Sequence, residues 1–265
     1  MGNPPVSDNP DLDRFLFAEE KRFITGGFRE YFLRKRYNFI ATINNFPDIS
    51  GLYSRVDQNW LEALSVFDSI QDGSWFVPAQ LTNFCFREIR LAAELLFSLC
   101  TTPGFSHLRT AIESFVQAQK IIREPHLAKV WVSRDEDVVE YNKYFKAKRK
   151  ENLFPQELGY AYLNGVWEML CEAGPHPNVT SIGVSSSIST TETHATWNLN
   201  YFQVDRNEAA ANLLLMTSCV LEMFKFTYSA FHTSMSSRSN LLSKLTSDLE
   251  ENSRLKEKYG KGGPA

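Results

Sequence analysis

From residue 55 onward, the apolar residues of this chain recur at intervals of three and four, the spacing of one face of an α-helix. Over 55–71 the face is Val56, Trp60, Ala63, Leu64, Phe67 and Ile70. Over 78–100, Leu81, Phe84, Cys85, Ala92, Leu95, Leu96 and Leu99 oppose Asn83, Arg87, Arg90, Glu94 and Ser98. Thr101-Thr102-Pro103-Gly104 then breaks the pattern, and Ser106 is the expected N-cap of the next helix. There Leu108, Ala111, Ile112, Phe115, Ala118 and Ile122 oppose Arg109, Glu113, Gln117 and Lys120. So short a break makes the two long helices antiparallel neighbours.

Helical patterns also cover 11–24 and 28–43, hinged at Gly26-Gly27, then 125–132, 135–150, the packed helix 157–173 and a weaker amphipathic helix at 239–259, while 47–51 reads as a loop. A long helix runs from Asp205 or Asn207 to about residue 234. Between 182 and 201 the period changes to two: Ile182, Val184 and Ile188, then Ala195, Trp197, Leu199 and Tyr201, alternate with polar residues. Two strands joined near 190–193 are expected. The predicted fold class is all-α, a helical bundle over 51–235 with one inserted β-hairpin at about 180–204. A disordered lead (1–10) and an N-terminal helical appendage (11–50) precede it, and a C-terminal amphipathic helix with a disordered tail (236–265) follows.

Composition changes this picture little. Of 265 residues 43% are hydrophobic and 22% charged, ordinary for a globular chain, and 20 phenylalanines promise an aromatic core. A net charge of -3 gives no global attraction to nucleic acid or an anionic membrane. The most apolar stretch, 209–231, is interrupted by Asn212, Glu222 and Lys225, so a core helix is expected there and no membrane partner. The polar, proline-containing first ten residues do not read as a signal peptide, and a cytoplasmic location is expected. Cys85, Cys100, Cys171 and Cys219 lie far apart and read as buried free thiols of a reducing compartment. Neither CxxC nor HExxH spacing occurs, so no metal is expected, and the absence of Walker, Rossmann and GxSxG patterns leaves no cofactor to expect.

Candidate chemistry centres on His176. Pro175 and Pro177 restrict the backbone on both sides of it, directly after a helix carrying Glu168 and Glu172, and Asn178 adds an amide. The second element is the stripe Arg109, Glu113, Gln117 and Lys120, in which Arg109 and Glu113 are spaced to pair. Such a stripe is either a solvated face or a polar seam inside the bundle, and in the seam Glu113 orients the His176 imidazole. His107, His126, His194 and His232 read as structural or surface residues. Glu88 falls on the apolar face of its helix and needs a partner, such as a salt bridge to a neighbouring helix. Arg90 and Glu94 are spaced as an i,i+4 pair. Two stretches mix bases with aromatics, 29–37 and 143–150; in the second, Lys143, Lys146, Lys148 and Arg149 are candidate ligand-binding residues for a nucleotide or nucleic acid.

The run FSHLRTAIESFVQAQKII (105–122), with Glu124-Pro125-His126-Leu127-Ala128 after it and His176-Pro177-Asn178 later, resembles a family of bacterial all-helical proteins that carry an Arg-xxx-Glu helix and a helix-end His-Pro or His-Ser. That family is distantly similar to HEPN domains, and the likeness covers roughly 59–231. The resemblance implies a helical bundle that self-associates, a setting in bacterial defence or conflict systems, and a polar site built from Arg109, Glu113 and His176. HEPN ribonucleases act without a metal through an arginine followed four to six residues later by a histidine. Here Met169, Leu170 and Cys171 stand where that arginine would precede His176, and the nearest mimic is Lys225 before His232. Three functions are therefore expected as alternatives: a homo-oligomeric binding or regulatory protein for a nucleotide, nucleic acid or protein ligand; a divergent HEPN-like ribonuclease with His176 as general acid/base and Arg109 on the phosphate; or a structural subunit assembling through the hairpin and C-terminal helix.

Overall fold

The computed structural model describes residues 26–65, 67, 73–146, 153–154, 159–173, 186–191, 193–199, 201–203, 205–231 and 240–260. Among them the architecture is all-α, with nine α-helices and two short strands. The helices are α1 (Gly26–Asn45), α2 (Pro47–Leu64), α3 (Phe76–Phe97), α4 (Thr101–Arg123), α5 (Leu127–Val132), α6 (Val138–Phe145), α7 (Ala161–Ala173), α8 (Arg206–Ala230) and α9 (Leu241–Gly260). The strands β1 (Ser186–Thr190) and β2 (Ala195–Leu199) lie between α7 and α8 and pair antiparallel, Ser186 opposite Leu199 and Thr190 opposite Ala195.

Several boundaries differ from the sequence expectation for identifiable reasons. Residues 47–51 are the first turn of α2 rather than a loop, because Pro47 occupies a first-turn position where its missing N–H costs nothing. Ser106 does not cap α4: the helix starts at Thr101, with Pro103 in its first turn, and the Ser106 hydroxyl donates to the Thr102 carbonyl within the helix. Only Ser98, Leu99 and Cys100 separate α3 from α4. There the Cys100 amide donates to the Leu95 carbonyl and the Leu99 amide to the Leu96 carbonyl, with Leu99 at φ 64. This is a Schellman stop with leucine in the left-handed position that glycine favours. The glycine of the junction is used elsewhere: a Cβ on Gly104 would lie 2.7 Å from Leu96 Cγ, so the close approach of α3 and α4 requires its absence.

The core is one cluster that draws on α2, α3, α4, α7, α8 and α9, and Trp60, Phe115 and Phe224 are its largest fully enclosed side chains. Trp60 stacks on Phe86 with ring centroids 5.8 Å apart and lies 5.5 Å from Phe224. α8 is the one helix among the described residues with the length and apolar composition of a membrane span, yet 67% of its most apolar stretch is buried inside the bundle. Asp205 caps it by accepting from the amides of Asn207 and Glu208. The C-terminal amphipathic helix α9 is part of this core. Leu241, Leu245 and Leu255 are buried in it, Asp248 accepts hydrogen bonds from Arg55 and Asn59 of α2, and Asn252 donates to Ser218 of α8. A second, smaller cluster (Leu81, Ala118, Ile121, Leu127, Phe145) seats α5 and α6 on α3 and α4.

Candidate polar seam and groove

α4 holds the apolar face and the polar stripe back to back. Leu108, Ala111, Ile112 and Phe115 are fully buried in the core, while Arg109, Glu113, Gln117 and Lys120 each meet a different part of the surrounding helices. Glu113 Oε1 accepts the indole N–H of Trp167 on α7 at 2.9 Å and lies 3.6 Å from Arg109 Nε. Arg109 also interacts with the half-buried Cys171, one turn further along α7, whose thiol burial pushes up and Arg109 partly brings back. Gln117 Oε1 accepts the indole N–H of Trp131 on α5 at 2.9 Å, and Gln117 also hydrogen-bonds Tyr141 of α6. Lys120 is only 6% exposed; its ammonium donates to the Tyr144 carbonyl and lies 5.6 Å from the Phe145 ring centroid. Burial holds its pKa below the usual lysine range. The stripe is therefore a seam under α5, α6 and α7 rather than a solvated face. Its amphipathic spacing follows from helix geometry, but the indoles that close it come from elements whose docking no local pattern specifies.

The seam opens at Gln117 into a groove of about 500 Å3 between α3, α4 and α5, lined by Gln80, Asn83, Phe84, Arg87, Gln117 and Trp131, with Ser114 at its base. Arg87 lies over the Phe84 ring at 4.3 Å and is 62% exposed. It donates from Nη2 at 2.8 Å and Nε at 3.2 Å to Glu88 Oε1, while Glu88 Oε2 meets His107 Nδ1 of α4 at 2.7 Å. Glu88 is 5% exposed. Burial alone would raise its pKa, but the hydrogen bonds from His107 and Arg87 outweigh that and hold the carboxyl below its ordinary value. One buried carboxylate thus orients an imidazole and a guanidinium at the groove's end. The sequence signalled that Glu88 needs a partner on a neighbouring helix. It did not single out His107, since a lone histidine on a helix carries no local mark of its partner.

Of the other expected site residues, His176 and Asn178 lie outside the described residues, as do Lys148 and Arg149. Lys143 is exposed and spends its charge on Glu140, 3.5 Å away, and on the Tyr144 ring at 4.7 Å. Lys146 is exposed just past the end of α6. Lys129, Arg134, Lys143 and Lys146 share this region with Glu124, Asp135, Glu136, Asp137 and Glu140, so its described part is no polyanion track. Arg90 and Glu94 do not pair with each other as their spacing suggested: Arg90 grips Asp57 of α2 with two bonds of 2.8 Å, and Glu94 takes Lys35 of α1 at 2.7 Å. Among the described residues no three His, Cys, Asp or Glu side chains stand together as a metal site would need. No family model matches this chain, and no curated protein and no solved structure matches it either.

Proposed function

We propose that this protein is a helical binding protein that takes a nucleotide-sized ligand in the groove where the α4 seam opens. The observation that carries this reading is the convergence at Gln117. Two exposed-edge aromatics, Phe84 and Trp131, the amides of Gln80 and Asn83, and the Arg87 guanidinium line one cavity of a mononucleotide's scale. Rings offer stacking, amides match the donor and acceptor edges of a base, and a guanidinium meets phosphate. Five acids beside four bases around α5 and α6 disfavour a long strand and favour a ligand with one phosphate group. Arg109 and Glu113, on the same face of α4, anchor α7 beside this site through Trp167. Titrating the protein with nucleoside monophosphates while following tryptophan fluorescence tests it. A saturable change is expected, about tenfold weaker in Arg87→Ala; a ligand response identical in wild type and Arg87→Ala removes the groove from consideration.

A second reading, catalytic, has one specific observation in its favour. His107 is held through Nδ1 by a buried carboxylate, which leaves Nε2 for proton transfer beside Arg87. A metal-independent ribonuclease built this way would cleave labelled total RNA in a His107-dependent manner. Cleavage absent in wild type, or unchanged in His107→Ala, eliminates it.

A further inference from the structure

A larger cavity lies on the far half of α3, away from Gln117. It measures about 670 Å3 and lies open to solvent between α1, α2 and α3. Phe39, Tyr53 and Phe97 form its aromatic wall, with Phe97 at ring-centroid distances of 6.0 Å from Phe39 and 5.7 Å from Tyr53. Ile43, Pro47 and Ala93 add further apolar surface. Charged residues are present, but each is matched: Arg90 with Asp57 in the bidentate pair, and Glu94 with Lys35. A charged ligand would find no unspent counter-ion here and would lose its hydration on entry. The Tyr53 hydroxyl is different. It is shut off from water in the cavity wall and has no hydrogen-bond partner. Burial first, and the Asp57 charge second, push its pKa up, so it remains an O–H donor. A buried hydroxyl without an acceptor is a deficit of the free protein, and a ligand acceptor that reaches it through a small shift of the ring removes that deficit.

We propose that the cavity between α1, α2 and α3 is a binding site for a neutral small molecule with an apolar body and one carbonyl-type acceptor, which the Tyr53 hydroxyl meets. This site is separate from the Gln117 groove, and its ligand is of another class. Cavities of this volume with mostly apolar walls and few polar groups are the usual form of small-molecule sites. Gly51, on the α2 side of the cavity, provides a handle for the test. A Cβ there meets nothing closer than Arg55 Nη1 at 3.9 Å, so a larger residue is accommodated by α2 and projects into the space a ligand would fill.

The test uses three probes of one shape on the full chain: 4-phenyl-2-butanone, its hydrocarbon counterpart butylbenzene, and the anion 4-phenylbutyrate. Affinities are read by ligand-observed NMR. The ketone is expected to bind at least tenfold more tightly than either of the others. In Tyr53→Phe the ketone falls to the hydrocarbon's affinity, and in Gly51→Leu, with an unchanged circular dichroism spectrum, all binding is lost. A ketone no better than butylbenzene overturns the proposal, as does a preference for the anion or a ketone affinity unchanged in Gly51→Leu. Ketone affinity that declines as protein concentration rises also overturns it, because a second copy of the chain would then be the occupant of this face.

Discussion

The two halves of α3 face two hollows of opposite chemistry. Its first half gives Gln80, Asn83, Phe84 and Arg87 to the groove at Gln117, and its second half gives Arg90, Ala93, Glu94 and Phe97 to the cavity under α1. Both halves carry arginine and glutamate, so composition does not distinguish them. The difference is in how the charges are shared. At the groove one carboxylate, Glu88, serves both Arg87 and His107, and Arg87 remains largely open to water. At the cavity each cation has a carboxylate of its own, and the Tyr53 hydroxyl is left without a partner. On the two readings proposed above, the class of ligand each hollow would take follows from how the protein has already shared out its polar groups there.

That contrast can be broken at Glu88. Glu88→Ala removes a buried carboxylate that ties α3 to α4 and leaves the Arg87 guanidinium and the His107 imidazole without the partner they share, so a loss of about 3 kcal/mol is expected. Read as a melting temperature, this is a fall of roughly 6–12 °C for a chain of this size. The pH dependence has a defined sign. Because the folded-state pKa of Glu88 is lowered, its contribution is present above the unfolded carboxylate range near about 4.3 and is lost as pH falls through the lower folded value. Denaturation midpoints measured from pH 7 to pH 3 should therefore fall more steeply in wild type than in Glu88→Ala.

Gly104→Ala probes the junction on which both hollows depend. The added methyl would lie 2.7 Å from Leu96 Cγ and 2.8 Å from Cδ2, and about 2 kcal/mol of destabilisation by urea denaturation is expected. Arg87→Ala sharpens the comparison more selectively. It should weaken nucleotide binding about tenfold, which corresponds to about 1.4 kcal/mol, and leave the ketone affinity of the cavity within twofold. The smallest effect belongs to Tyr53→Phe. Removing a hydroxyl that has no partner should leave stability unchanged or raise it by up to about 1 kcal/mol, although the same change impairs ketone binding.

The helices, their antiparallel α3–α4 pairing and the start of α8 at Asp205 or Asn207 were legible because each depends on residues within a few positions of one another. The Arg109–Glu113 spacing was legible for the same reason. The start of α2 was hidden because Pro47 reads as a breaker until it is placed in a first turn, where it is favoured. Ser106 was mistaken for a cap because Thr101 and Pro103 already form the turn before it. The pairing of Arg90 and Glu94 failed for a different reason: on a packed helix, partners from α2 and α1 compete with the i,i+4 neighbour and here displace it. Trp131, Trp167 and His107 escaped sequence reading because their partners lie 14, 54 and 19 residues away, at separations that tertiary docking alone decides.

The most direct test of the Gln117 groove is a 15N NMR titration with adenosine monophosphate, observing the side-chain amides of Gln80, Asn83 and Gln117 and the Trp131 indole N–H. These four side chains are expected to shift together along one saturable curve, while signals around Arg90 and Glu94 stay in place. Resonances that do not move at millimolar nucleotide, or that move only around the second half of α3, would contradict the account.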